Sequence, residues 1–364
     1  MKKKIVIIST VLVVLAVVLV VALLCFKLVD AISYSSFYDI AEDEFYIPDL
    51  MDGFVPQGFA YMDEEKVFLA CGYMSDDEEA SRIYVISEDG DEYYYTELSS
   101  ALLEKNYTGH TGGIAYYGEY VYVTGSDGID VFSLNDVMEE DVTRTPLLAT
   151  VDTSKYNIDP AFCFVEDDQL YVGNFYDGGD YKTDEKQKLS IKDRDENNAV
   201  MVSYSLLSSY GDSNYYIAPQ PNALYSIPDK VQGVCIIPEK VDENGKVTES
   251  AKIVLSTSYG FNPSYIYVHD TDKIGEKTYM TYDDGGVTKS YAKEMIGVEH
   301  NVPLYVIDSY TLVDTVEAPP MSEEIVYLDG KIWIMNESAS NKYIFGKFTT
   351  GNYLYSFQYP LSGN

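Results

Sequence analysis

Basic residues are scarce in this 364-residue chain. Lys and Arg number 25 against 59 Asp and Glu, a formal net charge of −34. So acidic a surface repels phosphate backbones and argues against nucleic acid as a partner. Cysteine is also rare. Of four, Cys25 lies in an apolar run, and Cys71, Cys163 and Cys235 fall in strand-like segments. An odd number in apolar settings argues against a disulfide framework and fits small core residues. Histidine occurs three times, with no zinc-like spacing, and no phosphate loop or G-x-S-x-G elbow is present. "DRDENN" (193–198) begins like a calcium loop but lacks its central Gly and final Glu. Helical periodicity is nearly missing beyond residue 30; "SSALLEKN" (99–106) is an exception. Tyrosine, in contrast, is abundant, with 36 copies, and suits half-buried pleated surfaces.

Apolar residues run almost unbroken from Ile5 to Phe26, behind Lys2, Lys3 and Lys4. Twenty-two residues at ~1.5 Å each span a bilayer core of ~30 Å. The run is long for a cleavable signal, whose apolar region is ~7–15 residues. The lysines should stay cytoplasmic. The expectation for residues 1–30 is therefore a single-pass signal anchor in the cell membrane, with the remainder extracytoplasmic. Secretion after cleavage near Ala31 and Ser33 is the alternative. Leu24 spoils a lipoprotein reading of Cys25. Residues 31–53 read as an extended lead-in and 54–364 as the ectodomain.

The ectodomain repeats. Five segments align as a first strand: "QGFAYM" (57–62), "GGIAYY" (112–117), "PAFCFV" (160–165), "QGVCII" (232–237) and "EEIVYL" (323–328). Second strands follow at "VFLACGY", "VYVTGSD", "LYVGNFY", "IVLSTSY" and "IWIMNES". Third strands follow at "RIYVIS", "GIDVFSL", "AVMVSYSL", "SYIYVHD" and "KYIFGKF", and fourths at "YYYTEL", "PLLATV" and "LVDTVEA". Repeated four-stranded units predict an all-β propeller, here of five blades, with six as the alternative count. One column of the first strand reads Gly58, Gly113, Ala161, Gly233, Glu324; another reads Ala60, Ala115, Cys163, Cys235, Val326. Residues two apart share a face, and innermost strands crowd the axis, so small residues are expected there. Glu324 is the exception. A charged insertion (177–198) interrupts blade three, and 270–301 expands blade four, with a hairpin around Asp283–Gly286. "PLYVID" (303–308) is expected to resume blade four. Either "FYIPD" (45–49) or "NYLYSF" (352–357) could close the ring as the last outer strand.

Strands alternate up and down, so loops before the first strand and after the second open on one face. Gln57, His110, Thr111, Asp159, Gln232, Glu323 and Glu324 should therefore neighbour Asp127, Asn174, Asn336 and Glu337. Many of these have bland roles available: Asp127 in "GSDG" and Asp159 before Pro160 suit turns. A carboxylate near a crowded axis is costly unless paired or useful, which singles out Glu324. Glu323, Glu324 and Glu337 are all expected at one mouth of the channel.

The blade pattern, from "PQGFAY" to "PPMSEEIVYLDGKIWIMNESASNKY", resembles uncharacterised exported or membrane-anchored bacterial β-propeller proteins over about residues 54–348. The resemblance implies placement and fold; no catalytic residues come with it. Three functions remain open, since propellers host many. One is a module binding a cell-surface glycan, wall component or protein, with Gln57, His110, Thr111, Asp127, Asn174, Gln232, Glu323 and Asn336 as candidates. The second is a glycoside hydrolase using Glu324, Asp159 and Glu337. The third is a scaffold for another membrane protein. No cofactor is expected, with Ca²⁺ or another cation in the acidic channel as the alternative.

Overall fold

The computed structural model describes residues 2–102, 104–126, 128–191, 193–207, 215–275, 279–283, 286–290, 292–298, 302–343 and 351–361. A helix, Lys2–Ser33, opens the chain and is followed by a short helical turn, Ser35–Tyr38. Its Ser9–Ser33 portion is long and apolar enough to cross a membrane and is not buried against the rest of the chain. Phe37, by contrast, is buried and meets the rings of Tyr355 and Phe357 edge-on.

Five blades form a β-propeller. Blade one comprises Phe54–Met62, Val67–Met74, Arg82–Ser87 and Tyr93–Ser99; blade two comprises Ile114–Tyr117, Tyr120–Gly125, Gly128–Ser133 and Ala149–Asp152. Blade three comprises Pro160–Glu166, Gln169–Asn174, Ala199–Ser205 and Ala223–Ile227; blade four comprises Val231–Ile237, Lys252–Thr257, Ser264–Asp270 and Leu312–Ala318. Each blade lies between two neighbours, so its inner strands are buried on both faces. That is why "VFLACGYM" and "KIWIMN" read as near-continuous apolar runs. The outermost strands keep one wet face, and "LVDTVEA" alternates accordingly.

Blade five shows how the ring closes. Its inner strands, Ser322–Leu328 and Lys331–Asn336, are followed outward by Tyr353–Gln358 and then by Glu42–Tyr46, from the segment expected to be an extended lead-in. Both segments proposed for closure take part, joined in antiparallel register from Glu42↔Ser356 to Tyr46↔Tyr353. Tyr353–Gln358 holds the third-strand place expected for "KYIFGKF" (342–348), of which residues 344–348 lie outside the described residues. A second correction concerns "PLYVID". Leu304–Val306 does not resume blade four but adds to blade three, parallel to Ala223–Ile227. Blade one gains a similar fifth strand, Arg144–Pro146. The expected hairpin is present, pairing Tyr279–Asp283 with Gly286–Ser290.

Candidate functional site

The first strands carry bulges at their mouth ends. In blades one, three and four a single residue is extra against the second strand: Gln57, Ala161 and Gln232. In blade five, Glu323 and Glu324 together occupy the irregularity between Ser322 and Ile325. Bulges break the two-residue alternation and re-aim side chains. Lys230 and Met321, each two residues before Gln232 and Glu323, both have φ of 65°. The same left-handed turn thus leads into both blades.

The result is a pair of amides, one from each neighbouring blade, on two blade-five carboxyl groups. Gln57 Nε2, from blade one, donates to Glu337 Oε2 at 2.8 Å. Tyr343 Oη donates to the same oxygen at 2.8 Å. Gln232 Nε2, from blade four, donates to Glu323 Oε1 at 3.3 Å. Glu323 is 2% exposed. Burial pushes its carboxyl well above the usual range, and Glu337 and then Glu324 add to the effect. Glu337 is half-buried, and burial pushes it up to about 7 against the opposing influence of Tyr343, Lys342 and Gln57. Lys342 donates to Tyr73 Oη and lies 4.3 Å from that ring's centroid. His110 stacks on the Tyr73 ring, with centroids 4.8 Å apart.

These groups line a cavity of 1060 Å³ at the channel mouth, together with Asp159, Phe175, Tyr181, Lys182 and Tyr259. Of the sequence-derived candidates, Gln57, His110, Asp159, Gln232, Glu323 and Glu337 come together here. The rest do not. Asn174 is buried, accepts from Val200 N–H at 2.8 Å and donates to Gln187, so it ties the insertion to blade three. Thr111 is buried, its hydroxyl donating to the His110 carbonyl oxygen and its own carbonyl accepting from the Cys71 thiol. Asn336 is buried and does not line the mouth. Asp127 lies outside the described residues.

Glu324 is the largest departure. It does not share the mouth with Glu323 and Glu337 but lines a separate cavity of 510 Å³ toward the opposite end of the channel. Its Oε1 accepts from Val234 N–H of blade four at 2.8 Å. Gly233 makes room for it: a Cβ there would stand 2.5 Å from both Glu324 Cα and Oε1. A carboxyl replaces the small residue of the other blades because its neighbour gave up a side chain. Tyr73 ends the aligned segment "VFLACGY", and Lys342 and Tyr343 open "KYIFGKF"; in the sequence all three read as strand residues, and it is the fold that brings them to the mouth. Among the described residues no group of three or more His, Cys, Asp or Glu is arranged to hold a metal ion.

The raised Glu337 carboxyl predicts a pH dependence. Its folded value lies above the ordinary 4.5, so its protonated form favours folding. That contribution is complete below pH ~4 and is lost as pH rises through about 7. It amounts to at most about 3 kcal/mol. The melting temperature of Glu337→Gln relative to the parent should therefore rise between pH 5 and pH 8. A pH-independent difference between the two would contradict this assignment.

No protein-family model matches the chain, and no curated protein matches it in sequence. Solved structures are similar at low identity. The glutaminyl cyclase of Myxococcus xanthus is 9% identical, covering 87% of this chain and 94% of its own, with a TM-score of 0.39. The PQQ-bound aldose sugar dehydrogenase of Streptomyces coelicolor is 11% identical over 87% and 97%, with a TM-score of 0.40. BamB of Moraxella catarrhalis is 8% identical over 84% and 85%, with a TM-score of 0.32. No functional reading rests on these likenesses.

Proposed function

We propose that this propeller is a membrane-anchored, extracytoplasmic binding module whose mouth takes a cell-surface glycan. The observation that carries the reading is the composition of the 1060 Å³ cavity. Tyr73, Phe175, Tyr181, Tyr259 and Tyr343 supply rings, and Gln57, Gln232, Glu323 and Glu337 supply amide and carboxyl groups. Rings offer flat apolar faces to sugar C–H groups, while amides and carboxyls pair with hydroxyls. A concave site of this size suits a small or linear ligand better than a flat protein surface. Carboxylates outnumber cations at the mouth, with Asp77, Asp159 and Asp180 beside the glutamates and Lys182 and Lys342 opposing them. Neutral or amino sugars are therefore favoured over anionic ones. The apolar helix supports the anchor, and the lysines at its start favour a cytoplasmic N-terminus.

Titration calorimetry of the full chain in detergent with neutral and amino oligosaccharides checks this. Binding should weaken at least tenfold, about 1.4 kcal/mol, in Glu323→Gln. The reading fails if no sugar binds or if the variant binds as the parent does.

One observation favours a second reading, glycoside hydrolysis. Glu337, pushed up to about 7, has the value wanted of a general acid, and Glu323 and Asp159 line the same cavity. Release of reducing ends that disappears in Glu337→Gln, with binding retained, would move the assignment to this class.

A further inference from the structure

A third cavity, of 650 Å³, opens between blades three and four. It is continuous in lining with the mouth: Ser258 and Tyr259 belong to both. One wall is the third strand of blade four, where Tyr265, Tyr267 and His269 alternate and so share a face. The two tyrosine rings lie nearly parallel, 8° apart with centroids at 5.8 Å, and His269 meets Tyr267 edge-on at 6.4 Å. The other wall is acidic. Asp195 and Glu196 come from the blade-three insertion, and Asp229 from the loop into blade four. This wall is pinned in place, because Arg194 Nη1 reaches the buried Asp308 Oδ2 at 3.0 Å and its guanidinium covers the Tyr310 ring at 4.5 Å.

His269 ends the aromatic row with an unsatisfied nitrogen. It is 2% exposed, and its Nδ1 lies 2.9 Å from Thr311 Oγ1. That hydroxyl gives its own proton to the Asp308 carbonyl oxygen at 2.9 Å, so it can only accept from the imidazole. The ring proton is therefore on Nδ1, and Nε2 carries a bare lone pair. Nε2 has no hydrogen-bond partner. Burial pulls the imidazole down to about 4, which keeps it neutral at pH 7. An orphaned acceptor of this kind asks for an O–H or N–H donor, as does the carboxylate wall.

We infer that the groove between blades three and four is an extension subsite of the mouth, taking further units of a neutral or amino glycan chain across Ser258 and Tyr259. Sugar rings stack on Tyr265 and Tyr267, and a hydroxyl donates to His269 Nε2. This rests on the glycan reading of the mouth and adds that the ligand is a chain of several units rather than one or two. A cavity lined by aromatic rings on one side and acceptors on the other fits a polyol, which has C–H faces and many donors.

The test titrates the full chain in detergent with a panel of neutral and amino oligosaccharides, each in two-unit and six-unit forms. For a sugar that binds, the six-unit form should bind at least tenfold tighter. Tyr267→Ala and Tyr265→Ala should each remove most of that advantage, with their melting temperatures confirming a folded protein. Glu323→Gln should weaken both lengths. Equal affinity for both lengths overturns the subsite and leaves the mouth standing. So does a length advantage that survives both tyrosine variants. Failure of every sugar to bind overturns the mouth reading and the subsite with it.

Discussion

A chain that begins at Pro48 should fail to fold cooperatively, whereas one that begins at Tyr34 should melt as a single soluble unit. The two differ by residues 34–47, which hold the outer strand of blade five and also the helical turn with the buried Phe37. Without Glu42–Tyr46, the edge Tyr353–Gln358 loses its partner and presents an unpaired row of backbone groups. Phe45 packs on Phe68 with centroids at 5.6 Å, and Phe45 and Ile47 belong to the cluster that holds Phe54 and Trp333. Burying two such side chains is worth ~1.5–3 kcal/mol each. Lys331 also loses its contacts with Glu42 at 2.6 Å and Glu44 at 3.2 Å. This pairing joins the two ends of the propeller, together with the Ile47 N–H to Asn352 carbonyl bond and the seat of Phe37 on Tyr355 and Phe357, so its loss opens a ring in which every blade leans on two others. Against a total stability of ~5–15 kcal/mol, the sum is a large share. Melting both chains by circular dichroism decides the matter: transitions within about 4 °C of each other would show that the strand is dispensable.

The blade repeat was legible because it is local. All five first and second strands, and four of the five third strands, lie where the periodic pattern put them. Pairings between segments distant in sequence were not. Leu304–Val306 joins blade three across the whole of blade four's inner strands, and nothing in "PLYVID" itself records that neighbour. The site was legible in part for the same reason. Gln57, Gln232 and Glu323 share a repeated column and do converge on the mouth. Glu324 was misplaced because strand alternation was carried through a bulge that the sequence does not mark. His269, which offered no signal in the sequence, draws its meaning from Thr311 and Asp308, both supplied after a long insertion.

Alanine at Gly58 or Gly113 should be far more damaging than alanine at an exposed loop glycine such as Gly179. The column of small residues marks where neighbouring blades touch at the axis. A Cβ on Gly113 would stand 2.5 Å from Cys163 N and 2.8 Å from Phe162 Cα. One on Gly58 would stand 2.6 Å from Gly113 C and from Ile114 N. These are backbone atoms of the next blade, so no side-chain rotation relieves the clash. Overpacking typically costs ~1–3 kcal/mol, and a rigid backbone wall puts these sites at ~3 kcal/mol or more. At Gly179 the nearest atom is Asp177 Oδ2 at 3.3 Å, the end of a side chain rather than backbone, and the change should cost little. Gly233→Ala joins the severe class, and Glu324→Ala should not rescue it, because the clash is with Glu324 Cα as well as Oε1. Urea unfolding of these variants reads the order directly. A loss under about 1 kcal/mol for Gly113→Ala would mean that the blades can part at the axis. The space in which Glu324 accepts from Val234 N–H would then not depend on the missing side chain of Gly233.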